Sequence, residues 1–357
     1  MVRSEVCFLA RWTGSEAGDG RATYAKALYQ ALKRRHARVD AWNPPPLGPA
    51  FGSITSIIWY DVMAPFIFLM LPRRLAPYRL VHAAFPEQGL WFPLVKTKKI
   101  VTVHDLNPFF EKGSSLKQVV WNLYARLVYS VAVRFADHLI AVSKQTKEEL
   151  ESIFHTPKRK MSVIEPGIGD IFVPERAVKD SEPLIGFVGK LTERKNAGFL
   201  FSSLRVLATL DSSRRWRLAI YGGDGTGVSN LKSMAKQHNI AERVSFNALV
   251  PGTEMPHVYN MFTVLVHPSM HEGFGFPILE AQRCGIPVIT LAGSRIPEEV
   301  TKYALKVKSR EEVAYLCCKL AQDRELYDKV SRQGFTHAAG FTWDRCAQKT
   351  ARVYEEV

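Results

Sequence analysis

Two kinds of pattern recur along the chain: short apolar, β-rich runs, and longer stretches with apolar positions at helical spacing. VCFLA (6–10) reads as a strand, followed by a polar, glycine-containing loop at 14–20 and a helix from Thr23 to about Arg35. KIVTVHD (99–105) reads as a second strand ending in a polar loop. Residues 115–136 carry apolar and aromatic positions at helical spacing, and DHLIAVS (137–143) returns to strand before TKEEL opens another helix. LIGFVGK (184–190), RLAIYGG (217–223), VSFNAL (244–249) and VLVHPS (264–269) are four more strands, each followed by a loop and a helical stretch. Strands that alternate with helices in this way predict parallel sheets covered by helices.

The pattern restarts after a segment rich in Pro and Gly, VIEPGIGDIFVPERAVKDSEP (163–183), which is the expected linker. A chain of 357 residues also exceeds one ordinary core. The expected architecture is therefore α/β, with two Rossmann-like, doubly wound domains over 1–170 and 171–342. Open parallel sheets bind ligands beyond the carboxyl ends of their strands, so two such domains are expected to face each other across a cleft.

Charge and cysteines narrow the partners. The net charge is +14 and the pI about 9.6, with the first half the more basic, which favours nucleotides, diphosphates or anionic headgroups. Cys7, Cys284, Cys317, Cys318 and Cys346 form no CxxC pair and no regular framework, so reduced thiols in a cytoplasmic protein are expected, without a metal site. Arg3, Glu5 and Arg11 interrupt the early apolar run, which argues against a signal peptide. Residues 54–72 (ITSIIWYDVMAPFIFLMLP) are long enough to span a bilayer, but Asp61 and Pro65 near the middle favour a buried region or an interfacial surface.

The strongest chemical signal is HEGFGFPILE, 271–280. Its glycines let backbone approach a ligand closely, and the helix that follows offers unpaired N–H groups to a phosphate or sugar oxygen. Glu272 precedes that helix and Glu280 lies about two turns inside it, so the two carboxylates can serve different parts of one extended ligand. A helix start with acidic residues placed for the dipole is the plainer alternative. The wider string, from Val266-His267-Pro268-Ser269 through this motif to Pro287-Val288, resembles the signature of glycosyltransferase family 4, whose members have the GT-B fold.

That resemblance implies a retaining hexosyltransferase that moves a mannose- or glucose-type sugar from a nucleotide-diphosphate donor to a glycan or lipid-linked acceptor. It implies that Glu272 contacts the sugar and Glu280 the ribose, with Gly273, Phe274, Gly275 and Phe276 lining the donor. In Gly189-Lys190-Leu191-Thr192-Glu193-Arg194-Lys195, Lys190 stands where the family commonly has arginine; Lys195 and Lys190 would meet the diphosphate, with Arg194 able to compensate for the lost guanidinium fork. Fixed cations aimed at the charge growing on the leaving group lower the barrier. No Asp-x-Asp occurs, so no divalent metal and no other cofactor is expected. Tyr221-Gly222-Gly223-Asp224-Gly225 resembles the family's glycine turn, and Leu249 falls where relatives hold the base through main-chain contacts. In the first half, His104 of Val101-Thr102-Val103-His104-Asp105 would offer a ring N–H to a sugar hydroxyl, with Asp105 supporting the loop. Gly20 is the glycine retained from a phosphate-approaching loop in which Asp19 occupies another glycine's place. The final helix, 343–357, is expected to pack back on the first domain.

Guanosine and uridine donors both fit this likeness. The basic first domain, with Trp59, Trp91, Trp121 and Tyr124, also suggests an anionic membrane surface as a partner; nucleic acid is not expected. The rival readings are a phosphorylase or epimerase of the same fold, and a non-catalytic binding or adaptor protein.

Overall fold

The computed structural model describes residues 5–10, 20–35, 38–42, 75–110, 116–175, 182–222 and 226–357. The loop before Gly20, the apolar segment 54–72 with Trp59, and Gly223-Asp224-Gly225 lie outside them. Within the described residues the chain forms two compact units, one built mainly from Asp19–Gly167 with Trp343–Val357, the other from Ile168–Thr342.

In the first unit, β1 (Val6–Leu9), β2 (Val39–Trp42), β3 (Leu80–Ala83), β4 (Lys98–Val103), β5 (His138–Ala141) and β6 (Met161–Val163) form one parallel sheet in the order β2-β1-β3-β4-β5-β6. All four residues of β1 are buried, because helices cover both faces. Val6 and Phe8 pack with Tyr24, Leu28 and Leu32 of α1 (Gly20–Arg34), whereas Cys7 and Leu9 share a core with Tyr129, Ala132 and Val133 of α2 (Leu116–Phe135). The sheet therefore separates two apolar layers.

The second unit repeats the plan. β7 (Leu184–Val188), β8 (Arg217–Tyr221), β9 (Val244–Asn247), β10 (Val264–His267), β11 (Val288–Leu291) and β12 (Leu305–Val307) are parallel in the order β12-β11-β10-β7-β8-β9. Phe187, Ile220, Val266 and Ile289 pack under α3 (Phe199–Leu210) and the helix Arg310–Gln322, with Trp216 fully buried among them. No helix among the described residues is long and apolar enough to cross a membrane.

The strand pattern predicted β1, β4, β5 and β7 to β10. It did not predict β2, β3, β6, β11 or β12; β6 and β12 have only three residues, too few for a period to register, whereas β2, β3 and β11 have four, like β1, β5, β9 and β10. The first helix also begins at Gly20, three residues before the expected Thr23.

The closing helix, Trp343–Glu356, belongs to the first unit and packs on α1 through Cys346, Ala347, Val353 and Tyr354. Two ion pairs flank it, Arg35 to Asp344 at 2.8 Å and Lys349 to Glu165 at 2.5 Å. Its deepest anchor is polar: Tyr354 Oη lies 2.6 Å from His82 Nδ1, and His82 Nε2 lies 2.8 Å from Thr102 Oγ1. Burying these groups without partners would be costly, and the network partners both imidazole nitrogens.

Burial pushes the His82 imidazolium pKa down to about 3. The unfolded state therefore binds the extra proton between pH 6.5 and 3 while the folded state does not, so this contribution is complete above pH 6.5 and is lost as pH falls. Thermal denaturation across pH 7.5 to 4 should show the first unit weakening below pH 6.5, with a shallower slope in His82→Gln.

Candidate active site

In the second unit's sheet, β7 touches both β8 and β10, so the order of strands changes direction between β7 and β10. Such a switch point splays the two following loops apart and leaves a crevice at the strand ends. The loop after β7 carries Gly189 and Lys190 and then a single turn, Glu193–Lys195, closed by Asn196 in the left-handed region. Gly189 has φ 147°, and a Cβ there would stand 3.6 Å from Lys195 Nζ. The backbone conformation favours glycine here, since a Cβ at that distance would make only ordinary contact with the lysine.

The loop after β10 is stitched to its neighbours by backbone. Met270 N–H donates to Arg194 O at 3.0 Å, Arg295 N–H to Met270 O at 2.8 Å, and Glu272 N–H to Arg295 O at 2.8 Å. Gly275, at φ 105°, then turns the chain into α4 (Phe276–Arg283), with Ile278, Ile296 and Val300 in ordinary contact around the place where a Cβ would be. Phe274 is buried edge-on between Phe276, at 5.1 Å, and Phe341, at 6.0 Å. Its ring is thus part of the packing that holds the loop.

This framework brings Glu272 together with Arg194, Lys195 and His267. Lys195 Nζ donates to Glu272 Oε1 at 2.5 Å, His267 Nε2 lies 2.9 Å from the same oxygen, and Arg194 Nη1 reaches Oε2 at 3.2 Å. Arg194 also donates to the carbonyl of His271. Burial acts to raise the Glu272 pKa, but Lys195, His267 and Arg194 outweigh it and hold the carboxyl well below its ordinary range. The group is a carboxylate held by Lys195, His267 and Arg194. The role expected for Arg194, replacing a phosphate-binding arginine at Lys190, meets a different arrangement: its guanidinium is engaged by Glu272 and His271.

Glu280 sits apart from this cluster, on α4, where Tyr259 Oη donates to its Oε2 at 2.6 Å. Burial raises its pKa to about 7, against the lowering effect of that hydrogen bond. Leu249 is half-buried in the loop after β9, and Lys190 is exposed in the loop after β7.

The other two predicted residues belong to the first unit. Gly20 is exposed and opens α1. His104 follows β4, with its ring 4.5 Å from Tyr24 and its Nε2 3.1 Å from Ala84 O. Burial, and then Arg21, lower its pKa to about 3. A neutral ring whose Nε2–H donates to a carbonyl leaves Nδ1 as an acceptor, so the ring N–H expected for a ligand is already taken by Ala84. Asp105 does support its loop, accepting from Asn107 N–H at 3.1 Å. Beside His104, Arg21 forks onto Glu87 at 3.0 and 2.6 Å and lies 4.4 Å from the Phe85 ring.

Sequence reasoning passed over Arg21, Glu87, Tyr259 and His267. Arg21 lies within the phosphate-approaching loop string but carried no role there, and Glu87 and Tyr259 sit in strings with no motif of their own. His267 had one signal, a polar residue closing an otherwise apolar strand.

Residues 170–337 match the family model for glycosyl transferases group 1, and residues 18–170 match that for glycosyltransferase family 4. The chain belongs to the group 1 glycosyltransferases. Among curated members of this kind, it is 26% identical to an uncharacterized glycosyltransferase of Methanocaldococcus jannaschii over 94% of each chain. It is 26% identical to a D-inositol 3-phosphate glycosyltransferase of Corynebacterium jeikeium over 96% of this chain and 93% of that one. With O-antigen chain mannosyltransferase B of Escherichia coli it shares 22% identity over 80% of each. The fold is GT-B. A sucrose-phosphate synthase from Thermosynechococcus elongatus superposes with a TM-score of 0.81 at 18% identity over 99% of both chains. Anabaena HepE, solved with UDP-glucose, gives 0.73 at 16% over 99% of both.

For this glycosyltransferase the raised pKa of Glu280 has a measurable sign. A folded-state pKa near 7 against 4.5 unfolded means that Glu280 costs stability progressively as pH rises from 4.5 to 7, fully above 7 and hardly at all at pH 4. Glu280→Gln should therefore raise the melting temperature at pH 8 and leave it nearly unchanged at pH 4.5.

Proposed function

We propose that the chain is a retaining hexosyltransferase that uses a nucleotide-diphosphate sugar without a divalent metal. The observation that carries this reading is the convergence of Lys195 and Arg194 on Glu272 at the switch point of the second sheet, beside the start of α4. A diphosphate placed there would meet the Lys195 ammonium, Lys190 and the loop's backbone N–H groups, which stabilise the charge that grows as the bond to the anomeric carbon breaks. The acceptor oxygen attacks from the face the diphosphate leaves, and the departing diphosphate oxygen takes the acceptor's proton, so configuration is retained. In this reading Glu272 meets the sugar, Glu280 the ribose, and His104 accepts a hydrogen bond from a sugar hydroxyl through Nδ1.

Both uridine and guanosine donors remain in the proposal. A structural neighbour was solved with UDP-glucose, and a relative is named a mannosyltransferase. Thermal shifts with UDP, GDP and ADP should single out one nucleoside diphosphate, because only a ligand that binds the folded state stabilises it. Lys195→Ala and Glu280→Ala should each cut nucleotide-sugar turnover by at least about 10²-fold, with the fold intact by circular dichroism, and excess EDTA should leave wild-type turnover unchanged. Full turnover in both variants would rule out the site.

The acceptor in this reading is a glycan or lipid-linked molecule met at an anionic bilayer. Support comes from α2, whose outer face is apolar: Leu116, Val119, Val120, Leu123 and Leu127 are exposed along one side of the helix. The helix contains no carboxylate, and its exposed Arg134 lines, with Lys160, a shallow cavity of about 630 Å³ at its far end. An apolar stripe beside cations suits the boundary between headgroups and acyl chains. Trp91, Trp121 and Tyr124 are half-buried, which leaves aliphatic side chains as the contact. The free, buried cysteines fit a reducing, cytoplasmic face. The full chain should float with phosphatidylglycerol vesicles but not with phosphatidylcholine alone, and Leu123→Ser with Leu127→Ser should abolish flotation. Equal flotation on both vesicles would remove the anionic bilayer as partner.

A further inference from the structure

His267 closes β10 with no accessible surface, and its ring has one polar contact, Nε2 to Glu272 Oε1 at 2.9 Å. The other nitrogen, Nδ1, is buried without a partner among the described residues. With nothing to accept a proton at Nδ1 and a carboxylate at Nε2, the ring's proton belongs on Nε2. As a contribution to the core this residue is a poor choice: a leucine or phenylalanine would fill the place without burying an unsatisfied acceptor.

The same Oε1 also receives Lys195 Nζ, at 2.5 Å. One ammonium cannot give its full charge both to this carboxylate and to an incoming diphosphate. When a diphosphate draws Lys195 away, Oε1 loses its nearest donor and keeps His267, while Arg194 still reaches Oε2 at 3.2 Å. His267 cannot follow the ligand, because its backbone is paired in the sheet between β7 and β11 and its ring is enclosed.

We propose that His267 is a positioning residue of the donor site: its Nε2–H keeps the Glu272 carboxylate aimed at the sugar after Lys195 exchanges that carboxylate for the donor diphosphate. This rests on the proposed roles of Glu272 and Lys195, and it adds a fixed donor that neither the motif nor the cations supply.

Three substitutions separate positioning from packing. Asparagine is too short to reach Glu272, glutamine places an N–H near the imidazole Nε2, and leucine fills the volume without a donor. Release of UDP from UDP-glucose and of GDP from GDP-mannose gives turnover, and thermal shifts with UDP and GDP give binding. His267→Asn and His267→Leu are expected to lose turnover by about 10²-fold, the scale of a misplaced catalytic group, with the nucleoside-diphosphate shift retained. His267→Gln should recover most of that loss, and His267→Leu should melt at or above the wild-type temperature. The proposal is overturned if asparagine and leucine turn over like wild type, if glutamine is no better than asparagine, or if leucine lowers the melting temperature in step with activity. Wild-type protein that shows no shift with any nucleoside diphosphate would instead overturn the donor-site reading itself.

Discussion

A carboxylate taken out of water at the end of a β-strand has to be met by donors, and Glu272 is met by three. Unpaired, it would destabilise the unit that contains it; paired with Lys195, His267 and Arg194, it ties the loop after β7 to the loop after β10. The backbone bonds from Met270 to Arg194 and from Glu272 to Arg295 hold the same two loops in register with a third segment. Electrostatics and chain geometry thus converge on one point. Two cations thus stand at the strand ends, neutralised by a carboxylate that any anionic ligand there would have to outcompete.

The placement of that point follows from topology. A parallel sheet that grows outward in both directions from its first strand must leave one gap where the following loops diverge. In the second unit that gap lies between β7 and β10, and the cluster fills it. In the first unit the order changes between β1 and β3, and the Arg21–Glu87 pair joins the elements that follow those two strands. Gly189 and Gly275 serve the same geometry, since their positive φ values let the loops turn tightly where a side chain would strain them.

Much of this was legible beforehand. The long apolar runs predicted seven of the strands because burial on both faces writes itself as continuous Val, Ile, Leu and Phe. The motif strings located Glu272, Lys195 and Arg194 because chemistry that depends on glycine turns and charged residues at fixed spacing leaves a trace in the string. The three-residue strands β6 and β12 left none. His267 was quoted within the motif context but read only as part of a strand, since a strand's last residue carries no label saying which loop its side chain will meet. Arg21 and Glu87, 66 positions apart, could not be paired from spacing.

By itself, the sequence determined the fold class, the family and the list of charged groups, because hydrophobic period and local motif are properties of neighbours in the chain. Only the tertiary structure decided which of those groups hold each other. Arg194 turns toward Glu272 and His271 because β10 lies beside β7 although two strands intervene in sequence. His104 Nδ1 is left as an acceptor because Ala84, just past β3, takes the Nε2–H. Tyr354 reaches His82 because the closing helix belongs to the first unit. Each is a contact between distant segments, and its strength depends on burial, which is set when those segments pack together.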